Sequence, residues 1–331
     1  MTTTTIPASS TLRLLVLGAV AVGAVASDGA TKAAIVIDPK LPAYESVSGI
    51  SGTMRSIGSD TLNNLMTMWA EDFVGLYPNV KPEIEGKGTS TAFPALIEGR
   101  AHFGPASREA SKAEEDRFES VFKYKLTKVA VAIDGLAVFV HKDNPITSLT
   151  MAQVDGIFSS TFKAGGKNMT TWDQVGLSAW SGKEITAYGR NSASGTYGFF
   201  KEIALKKGDF KPTINEQAGS SGVVGAVAGD QLGIGYSGIG YLTAGVKPLA
   251  LAAGKGAPVS PTYENCVSGD YPLARFLYVY INKAPGKPLE PMVLEFLKFV
   301  LSRDGQNDVQ KDGYFPLTAA MAAEQLAVLT K

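Results

Sequence analysis

Residues 188–200 read YGRNSASGTYGFF, and the parsing of this stretch decides the fold. The residues leading into it, KEITAYGRN, form a strand, while Tyr197, Phe200, Ile203 and Ala204 recur at helical spacing after it. A Ser/Gly/Thr-rich turn joins the two. The same unit of strand, turn and helix recurs at SIGSDTL (56–62) and GKGTSTA (86–92). Leu62, Leu65, Met66, Trp69, Phe73 and Leu76 mark the helix after the first turn, which Tyr77-Pro78-Asn79 stops. VKPEIEG reads as a short strand, and TSTAFPALIEG as a helix with Pro94 in its first turns. VAVAIDGLAVFVHK is a buried strand pair or one long strand, and SLTMAQVDGIFSS is a capped helix. SSGVVGAVAGDQLGIGYSGIGYL reads as helix, turn and buried strand, and RFLYVYINK as a strand. In PLEPMVLEFLKFVLSRDG, Pro291 opens a helix and Gly305 lies past its end. Strands alternating with helices predict an α/β fold with largely parallel sheets.

The chain has 331 residues, beyond the roughly 250–300 at which a single core stops growing, so two domains are expected. With 45% apolar and 19% charged residues it has the composition of a folded globular protein. Its 31 basic and 31 acidic residues cancel, which argues against a nucleic-acid partner. Any anion must therefore be held by local arrangement. LRLLVLGAVAVGAVA (12–26) ends in Ala24-Val25-Ala26, a small-x-small cleavage pattern, so residues 1–26 read as a signal peptide and 27–47 as a flexible arm. Cys266 is alone and reads as a structural thiol; an exported chain without an intrachain disulfide fits a periplasm.

Each of the three turns opens a helix. A helix N-terminus offers unpaired N–H groups and the positive end of the dipole, glycine lets the backbone approach, and hydroxyls add neutral donors. A plain helix cap has the same composition, so the number of such segments and the nearby Arg190 are what favour an anion site. FGPASREASKAEE (103–115) is a fourth segment: Ser107 could cap a helix bearing Glu109, Glu114 and Glu115 in its first turns. Arg108 there is either a surface arginine paired with those glutamates or a second guanidinium for an oxyanion. Catalysis has little support. His102 and His141 lie in no nucleophile motif, and no G-x-S-x-G elbow, P-loop, H-E-x-x-H or acidic metal cluster occurs, so no cofactor or metal is expected.

With these segments placed, the chain resembles the periplasmic phosphate-binding proteins of ABC uptake systems, the PstS family, over about residues 50–320. RNSASGT is similar to that family's arginine-then-Ser-Gly-Thr segment; IGSDT, GKGTS, ASRE and the glycine-rich GIGYSGIGY match further segments in the same order. The resemblance implies a two-lobed (type II) periplasmic-binding-protein fold, each lobe a mostly parallel sheet flanked by helices, with the ligand in the cleft. Lobe 1 would span 48–135 and 246–331, and lobe 2 residues 136–245, with crossovers near 135–140 and 236–246. Carried over by position, Ser59, Asp60, Thr61, Thr89, Ser90, Ser107 and Arg108 would bind phosphate from lobe 1, and Arg190, Ser194, Gly195 and Thr196 from lobe 2.

Two departures stand out. Family members carry an aspartate, the acceptor for the proton of HPO₄²⁻ or H₂PO₄⁻, where Arg108 stands; Asp60, at a position commonly Thr, is the expected substitute. Ser192 stands where some members pair an aspartate with the arginine. Arg190 is then held by another partner, Asp134 being the candidate, or gives its whole charge to the ligand. The implied protein is a monomeric periplasmic receptor that hands phosphate to an ABC permease. Sulfate, molybdate or arsenate binding, a secreted phosphoester hydrolase, and a surface protein that has lost the ligand are the rival readings.

Overall fold

The computed structural model describes residues 37–330; the signal peptide expected over 1–26 and the first part of the expected arm lie outside the described residues. The N-terminal elements are β1 (Gly52–Ile57), α1 (Asn63–Leu76), β2 (Val80–Glu85), α2 (Ala92–Ile97), β3 (Gly104–Ala106) and α3 (Lys112–Phe122). The middle of the chain supplies β4 (Thr127–His141), β5 (Ser148–Thr150), α4 (Met151–Phe158), β6 (Thr186–Arg190), α5 (Gly195–Ile203), β7 (Asn215–Gln217), α6 (Ser220–Ala228) and β8 (Gly233–Gly238). The remainder is β9 (Val246–Pro248), β10 (Ala250–Ala252), α7 (Tyr263–Val267), β11 (Ala274–Ile281), α8 (Pro291–Leu301), α9 (Arg303–Lys311) and α10 (Ala319–Thr330). Among the described residues, no helix is long and apolar enough to cross a membrane.

The apolar run of residues 127–141 is one strand of 15 residues, almost wholly buried. Its length lets it serve two neighbours. Up to Gly135 it pairs antiparallel with β11, and from Leu136 onward antiparallel with β8. Parallel pairing, the arrangement expected for most strands, belongs to the outer ones: β1 with β2, β6 with β7 and β8, and β5 with β10. The strands at the centre are antiparallel because β8 and β11 both return along β4. β9 pairs with residues 139–141 and β10 with residues 148–150, so the chain is still attached to the second half of β4 after residue 246.

Local sequence explains the elements, with two corrections and one addition. The first concerns the ASRE segment, whose helix is capped not by Ser107 but by Ser111, with Glu114 completing a capping box. Arg108 therefore lies ahead of the helix and not in its first turn. Second, the helix begun at Pro291 ends at Leu301, so Gly305 does lie past its end, but Ser302 caps a further helix, α9, and Gly305 falls in its first turn, where a Cβ would come within 2.3 Å of the Phe299 carbonyl oxygen. Third, the described part of the expected arm is tied down. Leu41 is fully buried, the Arg303 N–H donates to the Pro42 carbonyl, and the Tyr44 hydroxyl meets both Tyr77 and Glu295.

Aromatic packing seats the elements that carry the helix termini. On α1, Trp69 donates its indole N–H to the Gly305 carbonyl at 2.8 Å, and Phe73 packs edge-on against Phe296. On α5, Phe200 stacks on Tyr236 of β8 with centroids 4.0 Å apart and meets Phe158 edge-on. Buried rings of this size dominate local packing energy. The stack fixes where the N-terminus of α5 points.

Candidate functional site

Three turns meet at one place. β1 ends at Ile57, and the chain turns at Gly58, where a Cβ would lie 2.2 Å from the Pro105 carbonyl oxygen. Ser59 follows, with its hydroxyl donating to Ser107 Oγ at 3.1 Å. The Ser107 N–H donates to Thr89 Oγ1 at 3.1 Å, and the two side-chain oxygens are 3.4 Å apart. Ser59, Thr89 and Ser107 are all buried, so this is an enclosed mesh of hydroxyls.

Against it stands the start of α5. Ser194 Oγ accepts the Tyr197 N–H at 3.3 Å, which leaves the Ser194 hydroxyl hydrogen to point elsewhere. Gly195 and Thr196 open the helix, so their N–H groups have no carbonyl within it to bond. Thr196 Oγ1 lies 2.9 Å from Thr61 Oγ1, and the Ser90 N–H donates to the Ala193 carbonyl at 3.2 Å. The hydroxyl of Ser90 is half-buried at the same seam.

Each arginine at or beside the site has a carboxylate partner. Arg190, 4% exposed, reaches Asp60 Oδ2 at 3.1 Å and Ser220 Oγ at 2.7 Å through Nη1. Its Nε is enclosed and has no protein partner. The same Asp60 Oδ2 accepts the Ser220 N–H at 2.8 Å at the start of α6, and the Asp60 carbonyl accepts the Tyr241 hydroxyl. The partner of Arg190 is thus Asp60 and not Asp134. Asp134 is committed to Arg275: Nε and Nη2 donate to its Oδ2 at 2.9 and 2.7 Å, while Oδ1 accepts the Ile239 N–H.

Arg275 belongs to the site and was not foreseen. Its Nη1 donates to the Ser107 carbonyl at 2.6 Å and its Nη2 to Thr196 Oγ1 at 3.1 Å, with Phe199 lying over the guanidinium. It therefore ties both walls together. Because Thr196 Oγ1 accepts from Arg275, its own hydrogen is free to turn toward Thr61 Oγ1. The sequence held one signal, a charge in each of two apolar strands. Arg275 and Asp134 are direct cross-strand partners in the β11–β4 register.

Arg108 is arranged differently. Its guanidinium forks onto both oxygens of Glu114 at 2.7 and 2.8 Å and lies over the Phe93 ring. Burial would raise the Glu114 pKa, yet the Arg108 and Ser111 donors outweigh it and hold the carboxyl below its usual range. Arg108 keeps its stem close to α5, within 2.9 Å of where a Gly198 Cβ would stand. Its charge is spent on Glu114 outside the hydroxyl mesh.

The arrangement can do one thing well. Neutral hydroxyls and helix-terminal N–H groups converge at a buried seam whose arginines are already balanced by carboxylates, with the Arg190 Nε–H left without a partner among the described residues. That suits a small, heavily hydrogen-bonding oxyanion.

Comparison with known proteins agrees. The model of the PBP superfamily domain matches residues 43–304, which places the chain among the periplasmic-binding-protein-like folds. The phosphate-binding protein PstS of Pseudomonas aeruginosa is 55% identical over 304 residues, covering 91% of this chain and 94% of that protein. PstS of Staphylococcus haemolyticus is 30% identical over 85% of this chain and 86% of its own length. A Clostridium perfringens substrate-binding protein assigned to phosphate ABC transport was solved with phosphate bound. It superposes with a TM-score of 0.68 at 26% identity, over 81% of this chain and 100% of that one. The chain belongs to the PstS family of phosphate-binding proteins within that superfamily.

Proposed function

We propose that the chain is the substrate-binding protein of an ABC transporter: it holds inorganic phosphate between the Ser59–Ser107–Thr89 mesh and the start of α5, and releases it to a permease. The carrying observation is the buried Arg190 guanidinium, which reaches Asp60 beside Ser59 and Thr61 and whose Nε lacks a partner among the described residues. A buried unpaired donor costs about 1–3 kcal/mol, and an anion oxygen would remove that cost. Ser59, Thr61, Thr89, Ser90, Ser107, Ser194, Gly195 and Thr196 then supply neutral donors. Arg275 orients Ser107 and Thr196, while Arg108 contributes through its contact with α5 and not as a free charge. The relatives are binding proteins, and the chain is not an enzyme. Periplasmic location after cleavage near Ala26, and a monomeric state, belong to the same proposal.

The site also suggests a basis for selectivity. Asp60 Oδ2 is occupied by Arg190 and Ser220, and Oδ1 has no donor of its own. Oδ1 can accept the proton that phosphate carries and sulfate lacks, so it would hold the first and repel the second. For release, we propose two lobes that part about β4, where its pairing passes from β11 to β8 between Gly135 and Leu136.

Calorimetric titration of the anion-stripped mature chain with phosphate, repeated in excess sulfate, tests both statements. Tight phosphate binding that survives sulfate is expected. Asp60→Asn should narrow the phosphate-to-sulfate ratio by about tenfold or more. An unchanged ratio would sink the role of Asp60, and no heat with either anion would sink the site itself.

A further inference from the structure

A second basic cavity lies away from the hydroxyl mesh. Within β1, Met54 and Ser56 are fully buried, whereas Arg55 is only half so and borders a cavity of about 420 Å³. His102, Tyr124, Asn282, Lys283 and Lys287 line it too. Lys283 is only 9% exposed, with its ammonium still open to solvent and no ion pair or hydrogen bond to it among the described residues. Arg55 has no carboxylate partner, and its Nε is enclosed with nothing to donate to. Buried cations in globular proteins are almost always paired, because leaving water uncompensated is costly.

The other lining groups also donate. Tyr124 gives its hydroxyl hydrogen to Asn282 Oδ1 at 2.6 Å, which leaves the Asn282 amide hydrogens free. His102 Nδ1 accepts the Arg55 N–H at 3.1 Å, so in the neutral ring the proton sits on Nε2. Burial chiefly holds the His102 pKa below its usual value, Glu290 opposing and Arg55 adding to the effect, so the ring is neutral at pH 7. Among the described residues lining the cavity, Glu290 is the one carboxylate. Its side chain is 74% exposed and stands 4.0 Å from His102 Nε2. Three cations therefore line this cavity with one solvated carboxylate, Arg55 also bordering a neighbouring cavity that Glu83 and Glu85 line.

We propose that this cavity is a second anion site, distinct from that at Arg190, which takes the phosphoryl group of pyrophosphate or of a small phosphomonoester. Its volume falls in the range of small-molecule pockets, which points to a ligand larger than orthophosphate. Arg55 and Lys283 would grip the phosphoryl oxygens, Asn282 and His102 would donate to them, and Lys287 would close the rim.

Titration of the mature chain with pyrophosphate and with glycerol phosphate, after saturation of the first site with orthophosphate, tests this. A separate isotherm is expected with at least one of them, and the stronger identifies the source. Lys283→Gln should weaken it about tenfold or more, while Lys283→Arg should stay within about threefold, as loss or retention of a charge-assisted hydrogen bond predicts. Arg55→Gln should act like Lys283→Gln from the opposite wall. Thermal scans add a readout that a merely structural lysine would not give. Without ligand, Lys283→Gln should melt no lower than the parent, because it removes a charge that no described residue balances, and pyrophosphate should no longer raise its melting temperature. Absence of any second isotherm, or one that all three variants leave unchanged, overturns the proposal without touching the site at Arg190.

Discussion

Gly195→Ala tests the closed geometry of the site most directly. An ideal Cβ on Gly195 would stand 2.2 Å from Thr89 Oγ1, 2.6 Å from Ser107 Oγ and 2.9 Å from Thr89 Cβ. Ordinary contact begins near 3.4 Å, so the two walls must separate by about 1 Å. That separation takes Thr61–Thr196, now at 2.9 Å, and Ser90–Ala193, at 3.2 Å, beyond bonding range. It also draws the start of α5 off the anion. Hydrogen bonds to a charged group contribute about 1.5–3 kcal/mol each, so losing two should weaken phosphate by about two to four powers of ten. The fold should be spared. Gly195 is not among the glycines with a left-handed backbone, and alanine is intrinsically the better helix residue. Calorimetry would then show the loss of affinity while the anion-free melting temperature stays near that of the parent. Phosphate binding within about threefold of the parent would refute this reasoning: it would mean that the Thr89 and Ser107 hydroxyls turn aside, even though such rotation leaves the 2.9 Å contact with Thr89 Cβ in place.

Other consequences follow from single residues. Arg275→Met leaves Asp134 buried without its partner and should cost about 3–5 kcal/mol in urea unfolding, most of it recovered in the double variant with Asp134→Asn. A cost below about 1 kcal/mol would mean that the pair is solvated. Asp312, whose carboxyl accepts from Asn64, is pushed up to about 6, chiefly by burial. Its folded pKa lies above the unfolded value, so this group favours folding at low pH, and that contribution is lost as pH rises from about 4 through 6. Asp312→Asn should accordingly raise the melting temperature more at pH 7 than at pH 4; an equal shift at both would remove the titration from the explanation. The Cys266 thiol is buried and its pKa is pushed up, first by desolvation and then by Asp134 and Glu264. A thiol reagent should label it only as fast as the chain unfolds.

Much of the fold was legible because α/β units repeat a local signal. The apolar stripe of α1, the Ser194 cap and the long run of β4 are each written within a dozen or so neighbouring residues. Most hydroxyls of the site were legible for the same reason, since they stand at or just ahead of helix starts; Ser107 follows β3 instead, and Ser111 caps the helix after it. Pairings were not. The partner of Arg190 is 130 positions away at Asp60, and nothing near either residue distinguishes Asp60 from Asp134 as the candidate. Arg275 opens a strand whose pattern reads simply as buried β, and only the register against β4 brings it beneath Ser107 and Thr196. Arg108 was ambiguous because its segment contains three glutamates; the Ser111 capping box, which puts Glu114 within reach, decides the matter.

β4 carries a further consequence, for the lengths this chain can tolerate. One unbroken strand supplies core side chains to the β11 side up to Gly135 and to the β8 side beyond it. Alternate residues face opposite sides of a sheet, so inserting or deleting one residue near Gly135 would turn every later side chain of the strand onto the wrong face. The frame of both halves is thus counted from a single strand, and neither half can change length there independently. Growth and shrinkage fall instead on exposed turns such as 253–258, leaving the spacing from Asp134 to His141 as the fixed interval of the strand.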